Sequence, residues 1–195
     1  MRIVWIDTET TGLEITDSSV FMLAAIVTEN DVVLCEKTFF LNPLSEKIKY
    51  HESAGAIHGY SEDDIKSFPA EAVAVADIAG FLDRAKKLWR KDDSRSEKLV
   101  IAGYNVTFDI KHLQALFERN GIKLEDYFSG VIADVYVQVQ KAMGNSALPV
   151  LKNKKLVTVA DYLNVDLKNA HDAMADIKAT REVAKELYQK GVSLF

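Results

Sequence analysis

The stretch VWIDTETTGL, Val4 to Leu13, closes an apolar run on two carboxylates. Ile3, Val4, Trp5 and Ile6 form a continuous hydrophobic segment, as expected of a central strand covered on both faces. Asp7 and Glu9 follow two residues apart, so on a strand they share a face, about 7 Å from each other along the backbone. Two like charges at that spacing repel, and folding gains nothing by placing them there. A divalent cation held between them would remove the repulsion. Gly12 then breaks the strand into a turn. The plainer alternative is a pair of solvated acids in a loop; their position at the end of a buried strand weighs against it.

A chain of 195 residues suits one domain with a core large enough to need no covalent staples. Apolar content of 48% and charged content of 27% are those of an ordinary soluble globular protein. No apolar run approaches the roughly 18 residues of a membrane span, and no signal peptide is visible at the N-terminus. Cys35 is the only cysteine, which excludes an internal disulfide and a thiolate metal cluster, so a reducing cytoplasm is the expected setting. The net charge of −5 argues against long, tight duplex binding driven by counterion release. It does not argue against an enzyme that grips a few nucleotides, because bound divalent cations would cancel most of that charge and meet phosphate themselves.

Residues 20–28 and 32–41 read as two further strands, turned at Glu29, Asn30 and Asp31 into an antiparallel hairpin. Ser61 with Asp64 forms a capping box for a short helix, and Ser67 with Pro69 is expected to start the next. Val75, Ile78, Ala79, Leu82 and Trp89 follow helical spacing on one face of that helix. Residues 90–98, RKDDSRSEK, suggest an exposed loop. LVIAGYN at 99–105 is another buried strand, followed by a helix from Thr107 to Asn120 that stops at Gly121. A short strand at 131–135, a short helix capped by Thr158 with Asp161, and a last helix from Asp172 to Gln189 complete an α/β domain with a mixed sheet.

Further acids fall where such a domain collects its chemistry. Asp109 lies just after a buried strand, in the first turn of the next helix, and functional groups of α/β proteins gather at the carboxyl ends of strands. An aspartate there also favours the helix dipole, a competing explanation for that residue alone. HDAMAD places His171 at the mouth of the last helix and Asp176 five residues on. Ala173, Ile177, Thr180, Ala184 and Leu187 mark the buried stripe of that helix, with Asp176 at its edge. An aspartate in that seam without a cation or partner would be costly. A histidine by itself is more commonly a surface or capping residue; beside four acids it reads differently.

Four carboxylates, one imidazole and no thiolate favour hard cations, magnesium or manganese, over zinc. Two such ions about 4 Å apart form a clamp for in-line displacement at phosphorus, and an imidazole is suited to take the proton from the attacking water. Phosphodiester hydrolysis is the chemistry this set fits.

DTETTGL, then YNVTFD, then HDAMAD, in this order and spacing, resemble the three motifs of the DEDDh 3′-5′ exonucleases. That group includes the proofreading subunit of bacterial DNA polymerase III, ribonuclease T and oligoribonuclease. The resemblance extends from about Ile3 to Leu187. It implies a ribonuclease-H-like fold, a five-stranded mixed sheet flanked by helices, formed by residues 1–195 as a single exonuclease domain. It implies that Asp7, Glu9, Asp109 and Asp176 hold two Mg2+ or Mn2+ ions, with Asp7 bridging both, and that His171 is the general base. Release of nucleoside 5′-monophosphates from a single-stranded 3′ end is implied in the same way.

The resemblance also carries over substrate contacts. Thr10 and Thr11 match the segment whose backbone meets the terminal nucleotide, and Leu13 resembles the apolar wedge beside the last base. AIHGYSEDDI at 56–65 is similar to the family's histidine-glycine segment, which implies a place for His58 near the 3′ terminus. Phe108 is a candidate for base stacking, with a core aromatic as the alternative, and Tyr104 stands where several relatives carry histidine. His51 and His112 match nothing catalytic and read as surface or packing residues; Lys152, Lys154 and Lys155 read as a solvated loop. The C-terminal GVSLF, residues 191–195, is similar to a sliding-clamp-binding peptide, with an apolar tail folded back on the domain as the plainer expectation. ETTGL and the histidine-glycine segment look more like the proofreading type, which favours DNA; the WID start resembles oligoribonuclease, which keeps short RNA as the alternative and a homodimer with it. A non-catalytic polymerase accessory subunit is a third reading, disfavoured because all five catalytic positions are present.

Overall fold

The computed structural model describes residues 2–87, 98–167 and 171–195. Trp89 and all of the charged stretch 90–98 except Lys98 lie outside the described residues. Five strands form one sheet: β1 (Arg2–Thr10), β2 (Val20–Glu29), β3 (Val32–Phe40), β4 (Leu99–Gly103) and β5 (Phe128–Asp134). Their order is β3-β2-β1-β4-β5, with β1 central. The first three strands pair antiparallel, whereas β4 runs parallel to β1 and β5 parallel to β4. The expected five-stranded mixed sheet is therefore present.

The hairpin between β2 and β3 turns on Asn30 and Asp31, both at positive φ (50° and 66°). Asparagine and aspartate tolerate that region better than other side chains, and two such residues match the right-handed twist of a tight hairpin. Alternation along β1 then sorts its side chains. Val4 and Ile6 enter one core with Val75, Ile78 and Leu82 of α3 (Glu71–Lys87) and with Leu113 and Leu116 of α4 (Thr107–Arg119). Trp5 enters the other, with Val135 and Val139 of α5 (Val135–Gly144), Val159 of α6 (Leu156–Leu163), and Ile177 and Leu187 of α7 (Ala173–Gln189). Asp7 and Glu9 thus continue the Trp5 face, toward α7, just where the apolar filling ends.

Two close approaches fix this end of the sheet. A Cβ on Gly103 would lie 2.7 Å from the Ile6 carbonyl oxygen and 2.8 Å from a Val106 methyl, so only glycine lets β4 pass so near the residue preceding Asp7. A Cβ on Gly12 would meet the His51 ring at 2.4 Å. His51 is therefore a packing residue over the turn, and it pairs with Asp17 at 3.3 Å. His112 is buried and packs as expected.

Several boundaries differ from the sequence reading. The capping box of Ser61 and Asp64 opens α2 (Glu62–Ser67), but Pro69 does not begin α3. Ser67 ends α2, the Pro69 carbonyl accepts from the Asn42 amide at 2.8 Å, and Ala70 forms a parallel bridge to Asn42; the extended pairing displaces the helix start to Glu71. Thr158 lies inside α6, whose N-cap is Lys155, so Thr158 and Asp161 form no cap. Two helices had no counterpart in the reading: α1 (Glu52–His58) and α5, the latter taking Val135 from the expected strand. The α5 start is capped by Asp134, whose carboxylate accepts the Tyr136 amide at 3.0 Å.

The apolar tail folds back. Val192 is buried, Leu194 packs against the second core, and the Leu194 carbonyl accepts from the Gln138 side-chain amide at 3.1 Å; Phe195 is exposed. Leu194, in the segment similar to a sliding-clamp-binding peptide, is thus already engaged within the domain. Among the described residues no helix is long and apolar enough to cross a membrane.

Candidate active site

Acids from three elements meet beyond the apolar part of β1. Burial raises the Asp7 carboxyl well above the usual carboxylate range, and the negative charges of Asp109, Asp176, Glu9 and Asp172 raise it further. Glu9 is pushed up to about 8, first by burial, then by Asp176, Asp109 and Asp172. Asp109 and Asp176 are thus electrostatic neighbours of both Asp7 and Glu9, although they come from the first turn of α4, the first turn of α7 and β1. The sequence candidates Asp7, Glu9, Asp109 and Asp176 are brought together. So much uncompensated negative charge opposes folding, and clusters of this kind are commonly functional.

Asp109 is held from the far side of β1. Its Oδ1 accepts both the Thr8 backbone amide at 2.9 Å and the Thr8 hydroxyl at 2.7 Å. Burial still carries it up to about 7 despite these donors. The strand therefore presents Asp7 and Glu9 on one face while Thr8, between them on the other, positions the third acid. Thr8 was missed in the sequence; a hydroxyl between two acids carries no pattern without the fold.

His171 and Asp176 are joined through the backbone. The His171 amide donates to Asp176 Oδ2 at 3.3 Å, while Asp176 Oδ1 is buried with no hydrogen-bond partner. His171 has φ 71°, a left-handed conformation rare for a residue with a side chain, and its side chain is exposed. Asp172 is the N-cap of α7, accepting from the Ala175 amide at 2.9 Å, and adds a fifth negative charge to the cluster.

His58 is buried at the end of α1. Its Nδ1 accepts the Tyr60 amide at 3.1 Å, so Nε2 carries the proton, and this donor is buried without a partner. Burial lowers its pKa and the charge of His171 lowers it further, so the two imidazoles are neighbours.

The remaining substrate candidates differ in what the structure leaves them free to do. Thr11 is fully buried; its amide donates to the Ser19 carbonyl, its carbonyl accepts from His51, and its hydroxyl accepts from the Ser19 amide. Its groups are taken up in holding the turn. Thr10 is buried, with its hydroxyl donating to the Gly12 carbonyl at 2.7 Å. Leu13 is 74% exposed, as an apolar wedge must be. Phe108 is half-buried and packs on His112 at 4.3 Å between ring centres. The Tyr104 hydroxyl donates to the Lys154 carbonyl at 2.5 Å, so it ties a loop in place.

A cleft of ≈ 900 Å³ is lined by Tyr104, Phe108, His171 and Asp176 together with Tyr136 and the lysine loop. Tyr136 escaped the sequence reading because α5 did.

Whether the acids suit a metal is decided by their own chemistry. Among the described residues no three acidic, imidazole or thiol groups stand as a ready-made metal cage. The donors are nonetheless all oxygen, they repel one another, and Asp176 Oδ1 has no partner, so a hard divalent cation would supply what each lacks. The residues fit such an ion.

A mixed β3-β2-β1-β4-β5 sheet with acids gathered at one end of its central strand defines a ribonuclease-H-like exonuclease fold. Escherichia coli exonuclease I, in its structure with a dA16 oligonucleotide, matches 97% of this chain and 41% of its own at a TM-score of 0.77 and 23% identity, a likeness of fold. The exonuclease family RNase_T matches residues 4–184, and the chain belongs to it. DNA polymerase III of the PolC type from Caldanaerobacter subterraneus is 25% identical over 185 residues, covering 94% of this chain and 11% of that protein. Ribonuclease T from Haemophilus ducreyi is 26% identical over 185 residues, covering 92% of this chain and 81% of that protein. The chain thus spans about a tenth of the PolC-type relatives it matches and most of the ribonuclease T relative.

Proposed function

We propose that this chain is a metal-dependent 3′-5′ exonuclease that removes nucleoside 5′-monophosphates from single-stranded ends, with Asp7, Glu9, Asp109 and Asp176 as metal ligands and His171 as general base. The observation that carries the reading is the elevation of both Asp7 and Glu9, by burial and by acids converging from α4 and α7, beside an unpartnered Asp176 oxygen, in a chain of an exonuclease family. Two Mg2+ or Mn2+ ions bound to these carboxylates would polarise the scissile phosphate and lower the pKa of the attacking water.

The protein's own part is positional. β1 offers Asp7 and Glu9 on one face, Thr8 holds Asp109 in register, and the His171 amide orients Asp176 so that its other oxygen stays bare. His171, exposed at the cleft, takes the proton from water. His58 offers an unpaired N–H toward the terminal nucleotide. Leu13 stands free to pack against its base.

DNA is the favoured substrate, supported by the PolC-type relatives and by the oligonucleotide-bound exonuclease I fold. Short RNA is the second reading, favoured by the near end-to-end match to a ribonuclease T. Matched 5′-labelled DNA and RNA oligomers, incubated with magnesium and resolved on a gel, test both. A ladder shortening from the 3′ end that disappears in chelator is expected, faster on DNA. Unchanged substrate with magnesium and manganese alike would discard the enzyme.

Thr8→Val gives a finer test. It removes a hydroxyl from a charged acceptor while keeping shape and the backbone donor, a loss of about 1.5 kcal/mol, or roughly ten-fold in turnover. Steady-state kinetics beside a melting curve will separate this from unfolding. An unaltered rate would mean that Asp109 needs no such support.

A further inference from the structure

We infer that the connection between α5 and α6 grips the backbone of an unpaired polynucleotide strand upstream of the reacting end, through Lys152, Lys154 and Lys155. This rests on the exonuclease reading for its substrate class and assigns a binding surface that reading leaves blank.

The acids that make the chemistry also make a poor landing place for a polyanion. Metal ions at the acids would meet the reacting phosphate, so the phosphates further along a strand call for cations elsewhere on its path. All three lysines line the ≈ 900 Å³ cleft that His171 and Asp176 also line. Among the described residues none of the three forms an ion pair that would hold its charge elsewhere. Cations that face a cleft without partners are available to phosphate.

The loop is also held in shape. The Lys154 carbonyl is pinned by the Tyr104 hydroxyl at 2.5 Å, and the Lys155 amide donates to Asn153 Oδ1 at 2.9 Å. The Lys154 ammonium stands 6.0 Å from the centre of the Tyr136 ring. Leu148 anchors one end in the core, and α6 begins at Leu156. Charge therefore comes on a positioned wall beside two aromatic faces, Phe108 and Tyr136, and the 88%-exposed Val150. Phosphates on one side and stackable bases on the other are the two halves of sequence-independent single-strand binding. Tyr104 is a positioning residue here, since its hydroxyl is already used.

The test is the salt dependence of binding, read by fluorescence anisotropy of labelled oligo-dT of about 15 nucleotides. The full chain is compared with Lys152→Gln/Lys154→Gln/Lys155→Gln and with the corresponding triple arginine variant. Loss of three phosphate contacts should lower the slope of log K against log salt by about 2 and weaken binding about ten-fold or more at low salt. The arginine variant should restore both. On cleavage of a long oligomer, KM should rise with kcat held, and a dinucleotide should be cut at the wild-type rate. Should the triple glutamine variant fold poorly, each single glutamine variant is expected to lower the slope by about 0.7.

An unchanged slope, a loss that arginine does not restore, or a wild type that fails to bind in chelator and in magnesium alike would overturn the inference. A wild type that binds through these lysines without trimming the strand would sink the exonuclease reading and leave this one standing.

Discussion

Asp7→Asn is expected to abolish turnover and, in chelator near pH 8, to raise the melting temperature of the protein. The two effects have one cause. Burial raises Asp7 most, and the repulsion of Asp109, Asp176, Glu9 and Asp172 adds to it. A carboxylate whose folded pKa lies above its unfolded value, 3.8 here, costs the folded state nothing below that value. As pH rises past it the unfolded chain gives up its proton first, and stability falls until the folded group has ionised too. Asparagine keeps the shape and removes the charge, so the gain should vanish toward pH 4 and grow with pH. Relief of about 1–2 kcal/mol corresponds to roughly 3–6 °C in a chain of this size.

Magnesium should reverse the order. The wild type gains stability from an ion that neutralises the cluster, while the variant lacks its central ligand and gains little. Turnover should fall about a thousand-fold or more, since charge stabilisation by a bound metal is worth several kcal/mol in the transition state. Thermal melting with and without magnesium, at pH 5 and pH 8, reads every part of this. An identical magnesium-induced shift in wild type and variant would remove Asp7 from the metal site.

The sequence disclosed these residues unevenly, for physical reasons. Asp7 and Glu9 were legible because a period-two pattern at the end of an apolar run fixes their face, and β1 presents them so. The stripe of α7 likewise placed Asp176 at its edge, since Ala173, Ile177, Thr180 and Leu187 are all buried. Thr8 was not legible, because its value lies in a hydrogen bond to a residue 101 positions away. The helix α5 was hidden for a different reason. Its sequence VYVQVQ alternates as a strand would, and only its Asp134 cap and its packing on α7 turn it into a helix. With α5 went Tyr136 and its part of the cleft lining. The lysines beyond it read as solvent-facing charge, as isolated lysines usually are, whereas the fold sets them in the lining of the cleft that His171 also lines.

The same contrast bears on the split between gripping and cutting. Residues proposed to meet the reacting phosphate come from β1, the first turns of α4 and α7, and His171 just ahead of α7. Those proposed to hold the strand come from a connection pinned at a few points, where length and charge can vary without disturbing the core. One arrangement of acids beside a variable wall would let a single fold serve different substrates.

His171→Asn should lower turnover by about 10²–10⁴ while leaving magnesium affinity close to wild type. The choice of asparagine matters. His171 sits at φ 71°, where alanine would add backbone strain and confuse loss of a base with loss of a fold. Asparagine tolerates the left-handed region, and glycine, as a second variant, occupies it freely. Both keep the backbone amide that donates to Asp176 Oδ2 at 3.3 Å, so the orientation of that ligand survives the loss of the ring. A base role therefore predicts a fall in kcat with an unchanged magnesium-induced melting shift, and partial rescue of His171→Gly by added imidazole. If metal affinity collapses together with the rate, His171 is a ligand; if neither moves, the proton leaves by a route that does not use His171.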